Sequence, residues 1–231
     1  MKDYRKHLEQ VKALKRRHSH PLLHHLHKKF NISRKTLFYV KEYGPHANVP
    51  KTIVDEGIKI LLLASVISSF GGLALENFKQ AFVSFVPLVV LLPVLNDLIG
   101  DFGTLISAKF SVLLHEGVVG SQLWRNKSVV RLFYQTFYVA LFAAVISSVL
   151  AILLSLFSNY FVSLDVVLKV MLITVLDVTA LVALVFFTAI IAGKHFYDKG
   201  EDPNNFLIPI TTSVADFGNM IFLTVMFLVL F

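Results

Sequence analysis

The sequence predicts an all-α, polytopic membrane protein with five transmembrane helices. Three observations lead there. Apolar residues come in blocks of about 20 or more, enough to span ~30 Å of hydrocarbon, instead of alternating with polar ones. Of the 231 residues, 55% are hydrophobic and 16% charged, and the mean hydropathy is +0.68. Lys and Arg gather before the first apolar block and then in every second connection, as the positive-inside rule expects of a multi-pass chain. The formal charge of +7 is uneven: 13 of the 22 Lys and Arg lie in residues 1–51, beside only Asp3, Glu9 and Glu42. Cysteine is absent, which excludes disulfides, thiolate nucleophiles and thiolate metal sites.

Residues 1–51 form a basic, histidine-rich extension with Leu8, Val11 and Leu14 on one side of an expected helix. This composition suits a cytoplasmic segment lying on anionic headgroups. It is basic for too long, and too far from the first apolar run, for a cleavable signal peptide. His18, His20, His24, His25 and His27 offer imidazoles that suit zinc or nickel, but Pro21 interrupts their helix and no carboxylate lies among them. Nucleic acid would use the same charge, but tethering to a membrane domain argues against that partner.

Residues 52–231 form the transmembrane domain. Thr52 followed by Asp55 and Glu56 reads as a helix start. The first span covers about residues 58–75, and its Ser65, Ser68, Ser69, Gly71 and Gly72 permit close helix contact. A polar turn over residues 76–80 leads to a second segment that keeps a helical pattern from about Ala81 to Leu114. At 1.5 Å per residue that exceeds the bilayer, so the helix must tilt, kink or emerge. Pro87 and Pro93 remove backbone donors and Gly100 and Gly103 lighten the helix, which predicts a long, broken second helix. A polar connection over 115–128 carries Arg125 and Lys127. The third span, about 132–156, has serines but no charge and reads as wall. After a short turn over 158–165, the fourth span, about 166–192, carries Asp177 near its middle. A polar loop over 193–205 precedes the fifth span, about 206–231. This arrangement puts the N-terminus in the cytoplasm and the C-terminus outside a cell membrane.

Four acids lie within spans: Asp97, Asp101, Asp177 and Asp216. Each costs roughly 2.5–3.5 kcal/mol at bilayer depth on insertion scales. Lys109, about two turns from Asp101, is placed to snorkel to the surface rather than neutralise that acid. With so few buried cations, the acids call for an exogenous cation, protons or water. Asp97 and Asp101 are four apart and share a helix face, with Asn96 alongside. Hard oxygens of this kind suit Mg²⁺ or Ca²⁺, and carboxylates lining a pore select cations. Against this stand two plainer readings. Asp97 or Asp101 could cap a broken helix, and Asp177, alone on its helix, could be an interhelical hydrogen-bonding residue.

The last segment carries the most specific pattern, DPNNFLIPITTSVADFGNM: Asp202-Pro203, Pro209, Thr212-Ser213 and Asp216. In this it resembles the membrane domain of the MgtE-type magnesium transporters and channels, including their animal solute-carrier relatives. In the second segment Pro93, Gly100, Lys109, Ser111 and Gly117 fit the same family, with Asp101 where the family usually has Asn and Lys109 where it has Arg. The resemblance covers about residues 52–231. It implies a five-helix unit working as a homodimer, or paired with a sister chain, around a central ion pathway. It implies Mg²⁺ as the transported and bound ion and Asp216 as the principal cation-site acid, coordinating through water. The extra charge of Asp101 would alter selectivity or permit coupling to protons. Residues 1–51 are too short for the cytoplasmic regulatory domains of the bacterial members, so gating by such domains does not carry over.

The reading is therefore a non-enzymatic, homodimeric divalent-cation transport protein of the lipid bilayer. Asp216, then Asp101 and Asp97, are its candidate metal ligands. Asn96 and Thr212 or Ser213 supply neutral oxygens, and Asp177 is a further candidate. The alternatives are a proton-coupled exporter of divalent cations and a non-transporting scaffold. An intramembrane aspartyl protease would need glycine at position 98, where the sequence has Leu98.

Overall fold

The computed structural model describes residues 28, 29, 31, 49–76, 79–119, 123–158, 160–199 and 201–231. His18, His20, His24, His25 and His27, with most of the basic extension, lie outside the described residues. The described chain forms helices α1 (Val49–Glu76), α2 (Lys79–Val83), α3 (Val86–His115), α4 (Lys127–Phe157), α5 (Leu164–Lys199) and α6 (Pro203–Leu230), with a 3-10 turn at Leu123–Arg125. All but α2 are long and apolar enough to cross a membrane, the first of them over Gly57–Glu76.

Local chemistry explains the ends. Asn126 caps α4 by accepting from the Ser128 and Val129 amides, and its own amide donates to the Val118 carbonyl at 2.8 Å. Asp202 caps α6 by accepting from the Asn204 amide, and Pro203 follows at the first helical position, where a missing N–H is harmless. Thr52 does not cap α1: it lies within a helix that already includes Val49. The long second segment is broken ahead of Pro87, at Ser84 and Phe85 between α2 and α3. Pro93, Gly100 and Gly103 stay inside a continuous α3, so the helix does not unwind beside the acids. The polar stretch after residue 193 is also helical as far as Lys199. There Lys194 pairs with Asp198 one turn on, leaving only a short link before α6.

The helices α3, α5 and α6 pack against one another, α4 covers α3 and α5, and α1 lies on α6. Leu91, Leu95, Ile99, Ile106 and Phe110 form a fully buried ridge along α3, spaced so that one face of the helix turns inward. In lipid, apolar side chains gain little by leaving the acyl chains, so close packing and polar contacts must hold the bundle. Beyond Val129 and Leu132, the buried stripe of α4 accordingly consists of small residues, Thr136, Ala140, Ala144, Ser148, Ala151 and Ser155. A side chain at Gly103 would stand 3.2 Å from both Thr211 and Val185, the point where α3, α6 and α5 meet. Beside it Ser107 and Thr211 share a buried hydrogen bond of 3.1 Å between α3 and α6. The outer surfaces of α1 and α4 are apolar and exposed, Leu62, Phe70, Tyr138 and Phe142 among them, as lipid requires.

Candidate functional site

The polar centre of the bundle lies where α1, α3 and α5 bring one side chain each, Ser68, Asn96 and Asp177, toward Asp216 and Asn219 of α6. Asp216 is half-buried on α6. Its Oδ1 accepts from Asn96 Nδ2 of α3 at 2.7 Å, and its Oδ2 accepts from the Ser68 hydroxyl of α1 at 3.0 Å. Ser68 reaches it because Gly71, one turn along α1, lets the two helices approach: a Cβ there would meet Phe217 Cα at 3.1 Å. Neutral donors on both oxygens keep the carboxylate oriented without cancelling its charge.

Asn219, one turn beyond Asp216, is wholly buried. Its amide lies between Asn96 and Asp177. In one orientation the nitrogen donates to Asn96 Oδ1 at 3.2 Å. Turned over, the nitrogen donates to Asp177 Oδ2 at 3.0 Å and the oxygen faces the Asn96 backbone N–H at 3.2 Å. Asp177 therefore does not stand alone. It is a wholly buried carboxyl whose Oδ2 meets the Asn219 amide in that second orientation, and among the described residues its Oδ1 has no hydrogen-bond partner.

Asp97 and Asp101 lie on the adjoining surface of α3. Both are exposed on α3 and line an open groove of about 690 Å³ with Pro93, Val94, Asn96 and Leu98. Their shared face is the one the four-residue spacing predicts. Asn96 belongs to both places, lining the groove and holding Asp216. The hydroxyls of Thr212 and Ser213 donate within α6, to Ile208 and Ile210 carbonyls at 2.9 and 3.0 Å, which leaves their oxygen lone pairs available.

Among the described residues, no three Asp, Glu or His side chains gather closely enough to hold a metal ion by themselves. The structure thus brings Asp216, Asn96 and Ser68 together and places Asp97 and Asp101 on the adjoining groove. It sets Asp177 behind them. Sequence reading missed Asn219, although its three-residue spacing from Asp216 puts both on one face of α6. It also took Ser68 only as a small packing residue.

Comparison with curated proteins and with solved structures finds no match to either. The family model of MgtE, described as a divalent cation transporter, matches residues 92–226, from just before Asn96 to beyond Asn219 and more than half of the chain. MgtE is a family of transporters rather than of enzymes. With that match laid over five apolar helices that carry Asp97, Asp101, Asp177 and Asp216 along their length, the chain belongs to the MgtE family of divalent cation transporters.

Proposed function

We propose that this protein conducts Mg²⁺ across a cell membrane as a homodimer, with Asp216, Asp97 and Asp101 facing the ion. The observation that carries the reading is the position of Asn96, which holds Asp216 at 2.7 Å while lining the groove that Asp97 and Asp101 also line. Carboxylate oxygens together with amide and hydroxyl oxygens match a hard divalent cation, and a site with few direct protein ligands suits an ion that keeps its waters. Asn96, Thr212 and Ser213 supply the neutral oxygens of this reading. Asp177 lies behind this set, wholly buried beside Asn219.

One feature supports a second copy. Asp97 and Asp101 lie near the middle of a 30-residue helix, at a depth where a lipid-facing carboxylate costs several kcal/mol. A partner across the groove covers the acids and doubles their number around one pathway. The Lys and Arg distribution orients the N-terminus to the cytoplasm and the C-terminus outside.

The test is flux into proteoliposomes, comparing Mg²⁺, Mn²⁺, Ca²⁺ and Zn²⁺ with and without a pH gradient. Mg²⁺ flux that is lost in a folded, assembled Asp216→Ala variant is the expected outcome. Wild-type flux in that variant refutes the role of Asp216, and absence of any metal flux in the wild type refutes the transport reading.

A further inference from the structure

We propose that Asp177 is a positioning residue for the cation site, setting through Asn219 and Asn96 whether Asp216 meets an amide hydrogen or an amide oxygen. The proposal rests on Asp216 facing the cation. Its physical basis is that a primary amide has one donating and one accepting end, so two amides strung between two carboxyls form a chain with a direction.

In one direction Asn96 donates to Asp216 Oδ1 at 2.7 Å and accepts from Asn219 at 3.2 Å. The Asn219 oxygen then faces Asp177 Oδ2 at 3.0 Å. Two oxygens at that distance attract only if a hydrogen lies between them, so this direction needs a proton on the Asp177 carboxyl, and it sets the Asn219 nitrogen 3.2 Å from the Asn96 backbone nitrogen. Every donor in the row then points toward Asp216, and its charge is met by hydrogens. In the other direction an ionised Asp177 accepts from the Asn219 nitrogen at 3.0 Å, and the Asn219 oxygen turns to face Asn96. That oxygen sits 3.2 Å from the place Asn96 Oδ1 occupies. With a divalent cation to bridge it to Asp216, Asn96 relieves this contact by turning over as well, which puts its oxygen where its nitrogen met the Asp216 carboxylate. Two oxygens side by side repel each other and are drawn together by a divalent cation. The ionised state of Asp177 thus prepares an oxygen pair for the metal, and the protonated state closes the site with a hydrogen bond. The proton is taken from water and returned to it, and only the O–H bond forms or breaks.

The surroundings leave this chain as the connection between the two acids. Asp177 and Asn219 are both wholly buried, and among the described residues no cation pairs with Asp177. Of the helices packed against α5, α6 offers Asp216 within its span. On α3, Asp97, Asp101 and Lys109 are exposed, and on α4 the titratable Tyr134 and Tyr138 point outward.

The experiment uses the full chain in bilayers and two readouts. The first is equilibrium Mn²⁺ binding over a pH series for wild type, Asp177→Asn, Asp177→Leu and Asp216→Ala. Asp177→Asn keeps a donor for the Asn219 oxygen but cannot ionise. It therefore holds the site closed, weakening Mn²⁺ about tenfold, the equivalent of one buried hydrogen bond, and flattening the pH dependence. Asp177→Leu removes the end of the chain and flattens the pH dependence too. The second readout is the infrared stretch of a protonated carboxyl, expected in wild type, absent from Asp177→Asn, and erased by Mn²⁺ unless Asp216 is replaced. A band indifferent to Mn²⁺, or a wild-type pH profile in Asp177→Asn, overturns the proposal while Asp216→Ala still abolishes binding. If Mn²⁺ binding survives Asp216→Ala, the cation-site reading fails and the proposal fails with it.

Discussion

The bond between Asn96 and Asp216 joins α3 to α6 at the centre of the site, and a double-mutant cycle measures it. Asn96 donates to one carboxylate oxygen at 2.7 Å and accepts from Asn219 at 3.2 Å. A hydrogen bond to a charged group contributes about 1.5–3 kcal/mol, and a neutral one about 0.5–1.5 kcal/mol. Asn96→Ala loses both, but the groove at Asn96 is open and water replaces part of the interaction, so the lower ends apply, about 2 kcal/mol together. Asp216→Ala loses the same charged bond plus that from Ser68. The coupling between the two replacements isolates the shared bond, expected at about 1.5 kcal/mol or more for residues in direct contact. For a chain of this size that coupling moves the melting midpoint by roughly 3–6 °C. The assay is thermal unfolding of wild type, both single variants and the double variant in one detergent without divalent cations. Losses that add within about 0.5 kcal/mol, as independent sites do, refute the bond and the site built on it.

Two further predictions concern the scaffold. Gly71→Leu drives a side chain into the Phe217 backbone, 3.1 Å from where its Cβ would stand, whereas a Cβ at Gly72 meets nothing within 4 Å among the described residues. The first change should cost about 1–3 kcal/mol by overpacking and pull Ser68 from Asp216, while Gly72→Leu leaves the melting temperature unchanged or raised; equal effects refute the α1–α6 contact. Replacing Asn126 by Ala removes the acceptor for the Ser128 and Val129 amides and should lower stability by about 1 kcal/mol, read as a lower melting temperature with unchanged metal selectivity.

The sequence by itself determined the number of spans, their class and the four acids that do not belong in lipid. These are local properties: an apolar block is long enough to cross the bilayer whatever surrounds it, and a carboxylate at depth is costly in any fold. The motif around Asp216 and its family resemblance were equally legible, because the spacing of Asp202, Pro209 and Asp216 is written within one helix. Helix ends were less so. Pro93 looked able to break a helix, yet α3 runs through it and the break falls at Ser84 and Phe85, where the chain turns from α2 into α3.

What only the tertiary structure decided is which polar groups meet. Ser68, Asn96 and Asp177 lie on three different helices, and the bonds from the first two to Asp216 join residues 148 and 120 positions apart. Whether such groups touch depends on the rotation of each helix about its axis and on small residues such as Gly71 and Gly103 that set how closely the helices approach. Spacing within one helix fixes neither. Asp177 therefore read as solitary in the sequence, and the packing of α3, α5 and α6 set it beside Asn219, one turn from Asp216.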